Sequence, residues 1–85
     1  MKKNLNKLRT DIDNIDNKLL DLLSKRAAVA QEVGKLKNDG IIYRPEREAQ
    51  VLSKLLKNNK GPLSNESIKN IFNSIISNCR ALEKK

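Results

Sequence analysis

The sequence predicts an all-α fold of three helices, one of them very long, in a chain that pairs with a second copy as an intertwined homodimer. Two observations predict it. An apolar seam with heptad spacing runs from Leu5 to Leu36. The chain has 85 residues, and one domain of that size buries a limited core on its own. We therefore read residues 1–85 as a single domain whose first helix needs a partner to cover it.

Helix 1 is expected over about residues 4–38. From Leu5 the apolar positions step by three and four through Leu8, Ile12, Ile15, Leu19 and Leu22, then continue at Val29, Val33 and Leu36. At 1.5 Å rise per residue, Leu5 to Leu36 spans about 46 Å. A compact chain of this length has a radius of gyration of about 12 Å, hence a diameter of about 30 Å. The helix must protrude, and an exposed seam of that length is an association site. A helix broken near Ser24 within a monomeric bundle is the alternative. Gly40 suits the left-handed residue that closes such a helix.

Residues 41–44 form a short connector into Pro45, whose fixed φ fits the first position of helix 2, over about 45–58. Val51, Leu52, Leu55 and Leu56 supply its apolar face, and Glu46 and Glu48 sit favourably in its first turn. Asn58-Asn59-Lys60-Gly61-Pro62 breaks the chain. Ser64 can cap helix 3, over about 65–83, in which Ile68, Ile71, Phe72, Ile75, Ile76, Cys79 and Leu82 make a buried stripe.

Eighteen basic against ten acidic side chains give a formal net charge of +8, which calls for an anionic partner. Tyr43 and Phe72 are the whole aromatic content, so the stacking platforms of single-strand nucleic-acid binders are missing. With no histidine and a single cysteine, zinc sites built on Cys and His, intrachain disulfides and the usual Ser/His or Cys/His nucleophile pairs are excluded. The amino-terminal MKKNLNKLRTDID lacks an apolar signal-peptide core, and no apolar run approaches the roughly 20 residues that span a bilayer. We expect a cytoplasmic protein without a nucleic-acid or membrane partner.

Several charges stand where the pattern calls for apolar residues. Arg26 occupies the seam, one heptad after Leu19, and a guanidinium on a buried stripe needs an anion. Lys37 lies eleven residues on, about 16 Å along the axis and within about 20° of the same face. Arg9 is about 26 Å from Arg26 and roughly 100° round the helix, so the two reach one small ligand only if Arg9 comes from an antiparallel partner. Arg47 and Glu48 sit at the edge of the apolar face of helix 2. Cys79 and Glu83, one turn apart, prolong the stripe of helix 3, where a carboxyl is held protonated and can donate a hydrogen bond. Bland readings stay open at each position: Arg26 paired with an acid of another helix, Lys37 snorkelling at a helix end, Arg9 solvated, the glutamates serving the helix dipole, and Glu83 in water at a frayed end.

Together these residues resemble the all-α class of chorismate mutase, in particular the amino-terminal domain of bifunctional chorismate mutase/prephenate dehydratases. The resemblance runs through Leu8-Arg9, Ile12-Asp13, Ile15-Asp16, Leu19-Leu20, Leu23 to Arg26, Ala30, Val33-Gly34 and Lys37. It continues in Tyr43-Arg44-Pro45-Glu46-Arg47-Glu48 and closes with Ile75-Ile76 and Cys79-Arg80-Ala81-Leu82-Glu83. The joint order and spacing are specific, and the Arg-Pro-Glu-Arg-Glu block is the sharpest element.

The resemblance implies a dimer of three-helix chains with two shared sites and a rearrangement of chorismate to prephenate that needs no nucleophile, metal or cofactor. It implies that Arg26 and Arg9 of the partner subunit bind the substrate carboxylates, and that Lys37 contacts the ether oxygen and a carboxylate. Arg47 would lie by the ring-bearing end, Glu48 would take the ring hydroxyl, and Glu83 would hydrogen-bond the ether oxygen. Cys79 falls where some members have Ser. Arg44 replaces an Asp of other members and receives no side-chain role. The competing functions are an isochorismate pyruvate lyase, which the Arg47-Glu48 pair and Glu83 disfavour, and a basic helical dimerisation or nucleic-acid-binding module, which leaves Arg26 unexplained.

Overall fold

The computed structural model describes residues 4–36 and 44–83. They form three α-helices, α1 (Leu5–Leu36), α2 (Pro45–Asn58) and α3 (Asn65–Glu83), with no strand among the described residues. Lys37, the expected Gly40 cap and the connector to Tyr43 lie outside the described residues.

Local chemistry explains each helix boundary. Asn4 caps α1: its side-chain oxygen accepts from the backbone N–H of Asn6 at 2.8 Å, and its carbonyl accepts from Leu8 N–H at 3.1 Å. Pro45 opens α2 after Arg44, and Glu46 and Glu48 fall in the first turn, where the helix dipole favours negative charge. Ser64 caps α3 by accepting the Ser67 N–H at 3.1 Å.

The break between α2 and α3 is organised by Asn59. Its amide nitrogen donates to the Leu63 carbonyl at 2.9 Å and to Asn65 Oδ1 at 2.8 Å, while its oxygen accepts from Gly61 N–H at 3.0 Å. Gly61 takes φ 75°, a left-handed conformation that a Cβ disfavours.

The long helix sets the shape. The chain measures 59 × 23 × 15 Å with a radius of gyration of 16.3 Å, well above the roughly 12 Å of a compact chain this long. Helix α3 packs on both α1 and α2, whereas α1 and α2 do not approach each other. Among the described residues the buried apolar side chains are Ala30 of α1 with Ile76 and Cys79 of α3.

Along α1 the seam stands exposed among the described residues: Ile12 is 55%, Leu19 52%, Leu22 60% and Val29 61% exposed. Ile71 and Leu82, expected on the buried stripe of α3, are also exposed in the single chain. The apolar pattern therefore exceeds what one copy can bury.

Candidate active site

Helix α3 bridges the other two, and a cleft opens between α1 and α2 with α3 as its floor. It has a volume of about 300 Å³, within the range of small-molecule sites. Helical periodicity builds its lining. From α1 come Arg26, Val29, Ala30 and Val33, spaced by three and four along one face. From α2 come Arg47, Glu48 and Val51, and from α3 come Ile76, Cys79 and Arg80.

Four of the residues singled out in the sequence thus meet in one place: Arg26, Arg47, Glu48 and Cys79. Arg26 is half-buried, and no carboxylate among the described residues pairs with it. Its charge lines the cleft. Arg47 is more exposed and stands at the rim, one helical turn before Val51. Cys79 is a buried free thiol on the floor. Arg9 is exposed on α1 and is not part of this lining, in keeping with its distance from Arg26 along the helix. Glu83 ends α3 one turn beyond Cys79, and Lys37 lies outside the described residues.

Arg80 was not a candidate from the sequence, and the structure puts it in the cleft. Its Nε donates to Glu48 Oε2 and its Nη2 to Glu48 Oε1, both at 2.9 Å, so α3 grips α2 through a two-pronged ion pair. Arg80 lies four residues after the floor residue Ile76. That spacing is the sequence signal that could have found it.

The arrangement has a definite electrostatic character. Three guanidiniums, Arg26, Arg47 and Arg80, face one carboxylate, Glu48, leaving two positive charges in excess among the lining side chains. Val29, Val33, Val51 and Ile76 give the same space apolar walls. Such a cleft suits a small anion with an apolar body, the guanidiniums meeting its charge and the walls its apolar part.

Comparison with known proteins gives the same family. The model of chorismate mutase type II matches residues 8–84. The chorismate mutase of Methanocaldococcus jannaschii is 38% identical over 88 residues, which cover all of this chain and 89% of that protein. A bifunctional chorismate mutase/prephenate dehydratase of Stutzerimonas stutzeri is 46% identical over 87 residues, covering 94% of this chain and 24% of that protein. The chain therefore spans about a quarter of the length of the bifunctional relatives it matches. Among solved structures, the chorismate mutase from Helicobacter pylori in complex with prephenate is similar with a TM-score of 0.87 and 32% identity, over 93% of this chain and 88% of that one. By sequence and by fold, this chain belongs to the type II chorismate mutase family.

Proposed function

We propose that the chain is a chorismate mutase, rearranging chorismate to prephenate on the route to phenylalanine and tyrosine, and that it works as a homodimer with two shared sites. The observation that carries this reading is the apolar-walled cleft in which Arg26 has no acid partner among the described residues and guanidiniums outnumber carboxylates by two in the lining. A related enzyme in complex with prephenate shares the fold.

The reaction is a pericyclic rearrangement, so catalysis consists of holding the dianion in its compact geometry and stabilising the charge that grows on the ether oxygen as its C–O bond lengthens. Arg26 and Arg9 of the partner subunit clamp the two carboxylates, a task for which a planar guanidinium suits better than an ammonium. Lys37 and a protonated Glu83 donate to the ether oxygen. Arg47 borders the ring-bearing end, and Glu48 accepts the ring hydroxyl. Cys79 contributes to the floor beneath the substrate.

The dimer reading is supported by the uncovered seam of α1 and by the distance between Arg9 and the cleft. We place the activity in the cytoplasm, where the lone Cys79 thiol stays reduced. No helix among the described residues is long and apolar enough to cross a membrane.

The decisive assay follows chorismate loss and prephenate formation with the purified chain, using isochorismate in parallel. Turnover of chorismate supports the mutase. Release of pyruvate from isochorismate without chorismate turnover would replace it by the lyase reading, and inactivity on both with salt-dependent binding to nucleic acid would favour a basic dimerisation module. A protonated Glu83 adds a pH signature. Its donor is lost as pH rises through the carboxyl's pKa in the complex, so kcat should fall toward alkaline pH, and Glu83→Gln, which cannot ionise, should flatten the profile. A wild-type kcat constant from mildly acidic to alkaline pH would contradict that role.

A further inference from the structure

We propose that Arg80 is a positioning residue that aims the Glu48 carboxylate at the substrate's ring hydroxyl. The inference rests on the reading of Glu48 as the hydroxyl acceptor and deepens it.

Glu48 stands in the first turn of α2, next to the rim residue Arg47, with its side chain 23% exposed. A glutamate there has two flexible torsions beyond its first and no reason of its own to present its oxygens to the cleft. Arg80 supplies that reason. Its Nε and Nη2 meet Oε2 and Oε1 in parallel at 2.9 Å, a fork that fixes the plane of the carboxylate as well as its place. Each oxygen keeps a further lone pair for a hydroxyl donor.

The contrast with the other ion pairs is instructive. Lys7–Asp11, Lys25–Asp21 and Lys35–Glu32 span 3.4–3.6 Å along the exposed surface of α1, where such pairs contribute little. The Arg80–Glu48 pair joins two helices across 32 residues of sequence, is partly buried and lines the cleft. A single-point ammonium can neutralise Glu48 but cannot hold its plane. Arg80 therefore acts through Glu48, and its removal should loosen substrate recognition more than the chemical step.

The test is steady-state kinetics on chorismate with wild type, Arg80→Leu, Arg80→Lys, Glu48→Gln and the Arg80→Leu/Glu48→Gln double variant, with thermal unfolding recorded for each. Arg80→Leu should raise KM about tenfold while kcat changes less than threefold. Arg80→Lys, which retains the charge and guards against a merely unfolded variant, should recover thermal stability but only part of the KM. In the Glu48→Gln background the further change on Arg80→Leu should be under twofold, because the two residues act along one path. An unchanged KM in Arg80→Leu, or a full tenfold effect persisting without Glu48, would overturn the inference while leaving the mutase reading intact. Absence of chorismate turnover in the wild type would overturn both.

Discussion

The face of α1 packed on α3 and the heptad seam beside it meet opposite surroundings. On the packed face Ala30 is buried beside Ile76 and Cys79 of α3, and the cleft opens alongside. The seam residues stand in the open along the helix, with Leu19 52% and Val29 61% exposed against 9% for Ala30. Periodicity specifies a face; it does not say which chain covers it. The short α2 and α3 can reach only part of a 32-residue helix, so the remaining seam is left for another molecule. In our account that molecule is a second copy, which brings Arg9 to the cleft as it covers the seam.

The contrast can be broken on either side. Ile15→Asp places a carboxylate in the uncovered seam, twice per dimer, where burial of an unpaired charge costs several kcal/mol. We expect a shift from dimer to monomer in sedimentation at micromolar concentration and a fall in mutase activity of at least 100-fold with it. Retained activity in a monomer would separate assembly from catalysis. On the covered side, Ile76→Ala removes a buried side chain of α3, the helix that packs on both α1 and α2, and should cost about 2–5 kcal/mol in denaturant unfolding. The smallest effect belongs to Ser64→Ala, which deletes the cap of α3 and should cost about 1 kcal/mol, leaving KM for chorismate unchanged.

Much of the fold was legible because its signals are local. The seam of α1, Pro45 at the start of α2, the break at 58–62 and the Ser64 cap each follow from one or two residues and a known backbone preference. Arg26 stood out as a cation on an apolar stripe, and its meeting with Arg47, Glu48 and Cys79 in one cleft followed from helical spacing once α3 was recognised as the shared neighbour. Arg80, though part of the closing block of the resemblance, received no role because its partner is 32 residues away and one cation after Cys79 looks like ordinary surface charge. Asn59 read only as part of a break, although its amide ties Gly61, Leu63 and Asn65 together. Exposure of Ile71 and Leu82 was illegible for a different reason: an apolar stripe has the same spacing whether its cover comes from its own chain or from another.

The claim that assembly and catalysis are one event is tested most directly by subunit mixing. Arg9→Ala and Lys37→Ala dimers should each be inactive, since each lacks one group at both sites. A mixed dimer has one site with neither substitution and one with both. After confirmed exchange in an equimolar mixture, activity should recover to about one quarter of wild type, because half the dimers are mixed and each holds one intact site. Exchange without recovery would contradict a site shared between the two long helices.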